Sequence, residues 1–312
     1  MRAKRGQTEL CGILLIDKPM GMTSHDVVDR VRRVTGERRV GHAGTLDPMA
    51  TGLLVVLVGP ATRLAPFLTS AEKSYEARIV FGVETDTDDA EGRPTVTAIV
   101  PDEVGDPFFA AGTVAALVGS HEQMPPAFSA IKKDGRVAYE AARAGEELAL
   151  EPRTVVISEA RLIGVECAPE FAWDVVLGVS KGTYIRALAR DLGRMLGSAA
   201  HLGALRRTRS GACDVSDAIT LTALESAAGD PAALFFDPAV ALDLPVLAVG
   251  DDDLARANNG IPLDADALGA CDLPESADVS VVHDNALVGV FVRQGGKLRA
   301  QAVIPGTVKG VR

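Results

Sequence analysis

The sequence predicts an α+β protein that ends in a small β domain. Three observations carry this. Residues 12–16, 53–58, 74–83, 155–166 and 171–180 form apolar or alternating runs that read as strands. Residues 24–35 and 183–196 place apolar side chains at helical spacing. Residues 279–304 hold three short apolar runs separated by Asp284-Asn285 and Gly295-Gly296, the pattern of a β-meander. With 312 residues, 47% of them hydrophobic, the chain has room for one large domain and a small one, each with a core.

Taken in order, residues 1–10 are polar and read as a flexible arm. The strand at 12–16 ends in Asp17-Lys18-Pro19. Thr23-Ser24-His25-Asp26 offers an N-cap for a helix over 24–35, with Val27, Val28, Val31 and Val34 on one face and Gly36 as its stop. Arg38-Arg39 then leads into Gly41-His42-Ala43-Gly44-Thr45-Leu46-Asp47-Pro48-Met49-Ala50-Thr51-Gly52. This run sets one carboxylate in a glycine-rich loop directly before the apolar strand 53–58. Glycine permits tight turns and close approach to a ligand, and Pro48 biases Asp47 toward an extended backbone. Taken alone, Asp47 reads either as a catalytic group on a rigidly supported loop or as an ordinary Asp-Pro turn.

The strand at 74–83 runs into Thr85-Asp86-Thr87-Asp88-Asp89-Ala90-Glu91-Gly92. Its aspartates suggest calcium, but the glycine and the distal glutamate miss the EF-hand register. The five histidines form no His-x-x-x-His pair and the four cysteines lie far apart, so no metal site and no disulfide framework are expected. A helix is expected over 108–118. Segment 123–147 begins Gln123-Met124-Pro125-Pro126, continues through Lys132-Lys133-Asp134-Gly135-Arg136, and holds a short helix near 137–144. It reads as a mobile basic flap leaving the sheet. In the 183–196 helix, Ile185, Leu188, Ala189, Leu192 and Met195 form the apolar stripe. Arg186, Arg190 and Arg194 form a second stripe, expected to be solvated or to face something anionic. Pro238 and Pro245 bracket an expected linker. No stretch suits a signal h-region or a membrane span, which points to the cytoplasm.

The net charge of −10 argues against nucleic acid if read globally. Locally, residues 181–211 hold Lys181, Arg186, Arg190, Arg194, Arg206, Arg207 and Arg209 against Asp191 alone, while 237–286 hold eleven acids and one base, Arg256. A phosphate backbone responds to the local field rather than the sum.

The Gly41–Gly52 run, Asp17-Lys18-Pro19-x-Gly21-Met22-Thr23-Ser24, Ser74-Tyr75, the acidic loop and Gly182-Thr183-Tyr184-Ile185-Arg186 stand together in a fixed order. In that combination residues 11–225 resemble the TruB family of bacterial tRNA pseudouridine synthases. The resemblance implies a pseudouridine synthase fold: a large mixed, mostly antiparallel sheet flanked by helices, followed by a small PUA-like β domain. It implies a catalytic domain over 11–240, with 123–147 as a thumb that closes on RNA, and the PUA-like domain over 245–312. The implied reaction isomerises the T-loop uridine of the tRNA T-arm, position 55, to pseudouridine, without metal, organic cofactor, guide RNA or membrane, in a monomer.

The resemblance also assigns residues. Asp47 becomes the catalytic carboxylate, acting either by attack on C1′ or by removal of a C2′ proton, and Arg186 the cation that keeps it ionised. Tyr75 stacks on the extruded uracil and His42 holds the flipped arrangement. Tyr184 and Leu205 contact the nucleotide, and Asp89 sits near the arginine. Lys18, Arg63, Arg190, Arg206 and Arg207 become candidate phosphate contacts. The acidic stretch 237–286 departs from what an RNA-assisting PUA domain needs, so no RNA contact is expected there.

Overall fold

The computed structural model describes residues 8–129, 131–133, 136–143, 146 and 148–311. Its contacts divide into two units, Met1–Ala71 with Arg209–Arg312, and Glu72–Thr208. Residues 1–7 of the expected arm lie outside the described residues, as do Ala130, Asp134-Gly135 and the side chains of Lys132 and Lys133 in the expected basic flap. The described end of the arm is tied down, with the Thr8 N–H and hydroxyl both donating to Glu37.

In the first unit the strand Gly12–Lys18 pairs antiparallel with Thr51–Val58, setting Ile13 against Leu57 and Leu15 against Val55. Val40–His42 pairs with the same strand, His42 opposite Val56. Near-continuous Ile, Leu and Val in Gly12–Lys18 and Thr51–Val58 match their burial on both faces. The helix Ser24–Thr35 begins with a reciprocal capping box between Thr23 and Asp26 and ends at Gly36, left-handed at φ 68°. Its buried face carries Val27, Val28 and Val31, the stripe read from the sequence.

The C-terminal strands of this unit form a five-stranded sheet. Its order is Val246–Ala248, Asp278–His283, Ala286–Gln294, Lys297–Lys309 and Leu263–Asp264. The three long strands make the expected antiparallel meander, and Val246–Ala248 adds to it in parallel. Val282, Leu287, Val290, Ile304 and Val308 share one apolar cluster with Ile13, Leu15, Leu53 and Val55. The expected linker holds a short helix, Pro238–Leu242. Asp237 caps it by accepting the N–H groups of Ala239 and Val240, and Ala241 and Leu242 join the same cluster.

The second unit is built on strands in the order Ala200–Ser210, Lys73–Phe81, Ala172–Val179, Arg153–Glu166, Gly119–Gln123. The last three pairings are antiparallel. Trp173 is fully buried, its Nε1–H donates to Val104 O at 2.8 Å, and its ring meets Phe81 edge-on at 4.8 Å. The helix Pro107–Ala115 is capped by Asp106. The helix Ile185–Met195 lies so close to the next strand that a Cβ at Gly193 would stand 2.4 Å from Ala200 N. The strands Lys132–Lys133 and Arg136–Val137 pair, followed by the helix Ala138–Arg143.

Candidate active site

The Asp47 loop is fixed from three sides. Leu46, Met49 and Ala50 beside Asp47 are 3%, 5% and 0% exposed, whereas Asp47 itself stays half-buried. Ser24, the first residue of its helix, accepts the Leu46 N–H at 2.8 Å and donates to Leu46 O at 3.0 Å. On the other side the Gly21 N–H donates to Pro48 O at 2.8 Å, and the Ala50 N–H closes a turn on Asp47 O at 3.1 Å. Apolar neighbours anchor the loop while its carboxylate keeps access to solvent. Gly44 and Gly52 have φ of 108° and 95°, so the backbone here requires glycine whatever approaches it.

Lys18 corrects an expectation. It is fully buried, and its Nζ donates to the carbonyls of Met22, Pro19 and Pro48 at 2.7, 2.9 and 3.3 Å. An ammonium enclosed this way bolts the 18–22 turn to the Asp47 loop and does not reach phosphate. Arg63 is exposed, with Nη1–H donating to Val303 O at 2.6 Å.

In the second unit the arginine stripe faces acids, with Arg186 and Arg190 buried and Arg194 paired but exposed. Arg186 lies 3.7 Å from the Asp89 carboxylate, Arg190 2.9 Å from Asp88, and Arg194 2.6 Å from Glu84. Three acids from Val83–Thr85 and the loop after it thus meet three successive turns of one helix. Asp88 stands at φ +60°, which lets two consecutive aspartates face the same helix. Burial pushes the Asp88 carboxyl up to about 6 even though Arg190, Arg186 and Arg194 pull it down. The Arg186 guanidinium also donates to Thr87 O at 2.8 Å and Phe128 O at 2.9 Å. The expectation that Arg190 reaches phosphate is corrected: it is buried, and its donors go to Asp88, Asp191 and Met124 O. Arg207, only 1% exposed, is corrected likewise, while Arg206 is half-buried.

Tyr75 is 8% exposed on Lys73–Phe81, opposite Leu177. Lys73, two residues earlier on the same face, is pushed down to about 8 by burial, with Arg207 and Lys181 adding to the effect. Leu205 is buried on Ala200–Ser210. Tyr184 is half-buried, its ring 5.7 Å beneath the Arg153 guanidinium. Its backbone is held by Gln123, a residue that sequence reading passed over, as it passed over Glu84 and Asp88. The signal for the two acids was present in the charge pattern: acids at 84, 88 and 89 match arginines spaced by four. Among the described residues no cluster of His, Cys, Asp or Glu suits a metal, and no helix is long and apolar enough to cross a membrane.

Residues 32–185 match the TruB family pseudouridylate synthase N-terminal domain, and 186–234 match the tRNA pseudouridylate synthase B C-terminal domain. The tRNA pseudouridine synthase B of Syntrophotalea carbinolica is 43% identical over 304 residues, 96% of this chain and 94% of that protein. The enzyme of the same name from Corynebacterium aurimucosum is 42% identical over 93% of this chain and 98% of its own length. Among solved structures, the crystal structure of a Cbf5-Nop10-Gar1 complex superposes with a TM-score of 0.71 at 24% identity, covering 94% of this chain and 84% of that one, which shows a shared fold.

Proposed function

The chain belongs to the TruB family of pseudouridine synthases, and from that membership we propose that it converts the T-loop uridine of tRNA, position 55, to pseudouridine without a guide RNA. It is an isomerase: the N1–C1′ bond breaks, the C5–C1′ bond forms, the C5 proton leaves and N1 ends protonated. In this reading the base first leaves its stack, at a cost of a few kcal/mol. Asp47 then acts on the ribose, at C1′ or C2′, as an ionised carboxylate, with Arg186 supplying the cation that favours that form. Tyr75 is the ring platform for uracil, Tyr184 and Leu205 line the nucleotide, His42 holds the flipped arrangement and Asp89 orients Arg186. Residues 11–240 serve as the catalytic domain, with 123–147 as a thumb, and 245–312 as a PUA-like domain. The proposed setting is a cytoplasmic monomer acting on the T-arm.

The observation that carries this reading is the Asp47 loop. One half-buried carboxylate is held among fully buried apolar neighbours by Ser24 and the 18–22 turn. Such support, added to the turn closed by Ala50, suits the placing of a reactive oxygen. The test is incubation of the pure protein with an unmodified tRNA transcript, reading pseudouridine in the T-loop. Asp47→Asn is expected to lower the rate by at least about 10³-fold while tRNA binding persists, as loss of a covalent or acid–base group does. Full activity in Asp47→Asn overturns the assignment. Release of free uracil instead of isomerisation would point to a hydrolase, and a need for added RNA to a guided enzyme.

A further inference from the structure

The Ile185–Met195 helix opens without help from its own cap. Tyr184 occupies the N-cap position, and its side chain makes no capping bond. Its backbone is gripped from outside by the side-chain amide of Gln123. Gln123 Oε1 accepts the Tyr184 N–H at 2.9 Å, and Gln123 Nε2 donates to Tyr184 O at 3.1 Å. The same carbonyl accepts the Leu188 N–H at 3.1 Å, so the first turn of the helix closes on the atom that Gln123 holds. The two bonds fix which way the amide faces, because the Tyr184 N–H needs an acceptor and its carbonyl a donor. Gln123 is 3% exposed and ends the strand Gly119–Gln123, where Arg153 is its cross-strand partner. That same Arg153 stands over the Tyr184 ring.

We infer that Gln123 is a positioning residue for Tyr184 and Arg186, setting the start of their helix through the Tyr184 backbone. The inference rests on the reading of those two residues given above. Arg186 lies two residues beyond the gripped backbone and aims its guanidinium at Thr87 O, Phe128 O and Asp89. Any slide of the helix start breaks that set. The neighbouring Met124 carbonyl takes a bond from Arg190 Nη2 at 3.0 Å, so residues 123–128 hold the helix at Tyr184, Arg186 and Arg190. Gln123 touches no reacting atom in this scheme and works by alignment alone.

The test is steady-state kinetics of Gln123→Met, a variant of similar length lacking both bonds, on an unmodified tRNA transcript, with Gln123→Ala as a second variant. Thermal melts of each protein set an assay temperature at which it is folded. The expected result is a fall in kcat of about 10- to 100-fold, the scale of a misaligned group, with KM for tRNA changed less than about 3-fold. In an Arg186→Lys background, where alignment is already degraded, the Gln123→Met penalty on kcat is expected to shrink below about 3-fold. An unchanged kcat in the folded variants, or an equal penalty in both backgrounds, overturns the inference. A wild-type protein that forms no pseudouridine on tRNA overturns the functional reading instead, so the two failures are separable.

Discussion

Ser24 holds both polar groups of Leu46 with one hydroxyl, in a place where Leu46 is only 3% exposed. Removing that hydroxyl leaves a buried N–H and C=O without it, which costs about 1–3 kcal/mol. Ser24→Ala should therefore lower the stability of the protein by that amount in denaturant titrations, and its kcat should fall because the Asp47 loop loses its nearest brace. An unchanged denaturation midpoint with full activity would show that the loop is held by other bonds. The form of the Asp47 loop was legible in the sequence because its glycines, proline and following apolar strand are local signals, whereas the role proposed for Asp47 came from the family resemblance alone. Lys18 was not. A Lys-Pro pair in a loop looks like a basic contact, and only the fold shows that three carbonyls enclose its ammonium. Gln123 was illegible for the same reason, since its partner lies 61 residues away.

At the scale of the element, the Ile185–Met195 helix shows where periodicity runs out. The spacing of its apolar and arginine stripes was readable, and Ile185, Leu188, Ala189 and Leu192 are buried as expected, whereas Met195 in the last turn is exposed. What the arginine stripe faces depends on a loop a hundred residues earlier, and that loop supplies acids. The Arg190–Asp88 pair at 2.9 Å is buried on both sides. Arg190→Met strands the Asp88 carboxylate and should cost about 3–5 kcal/mol, whereas adding Asp88→Asn, which removes the charge and tolerates the left-handed backbone at φ +60°, should restore part of the loss. Equal stability of the single and double variants in denaturant would refute the pairing. The Asp88 carboxyl, raised from 3.8 to about 6 by burial, holds its proton more tightly folded than unfolded. Between about pH 4 and 6 the folded state therefore binds more protons than the unfolded one, and this group's contribution to stability declines as pH rises through that window. Asp88→Asn should remove that slope from a plot of melting temperature against pH. A slope that persists unchanged would assign it to another group.

For the whole molecule the unresolved tension is charge: a protein of net −10 whose proposed substrate is a polyanion. The structure sharpens it, because two of the arginines expected on phosphate, Arg190 and Arg207, are buried, and Arg190 is paired with Asp88 and Asp191 of its own chain. Much of the opposing charge sits in residues 237–286, including Asp251, Asp252 and Asp253 in the first turn of the helix Asp251–Asn258. An acidic surface that stays clear of the RNA still repels it at long range, over about 10 Å at 0.1 M salt and farther in dilute salt. Its effect then falls on the rate of encounter and not on the chemistry. Changing these three aspartates to asparagine moves the net charge from −10 to −7. The association rate with tRNA, read by stopped-flow at low ionic strength, should rise severalfold, and the difference should fade above roughly 0.5 M salt, where the screening length is only a few ångströms. The kcat should not move. If the substitutions slowed association, or changed kcat at saturating tRNA, the acidic surface would have a direct part in handling the substrate and the long-range account would fail.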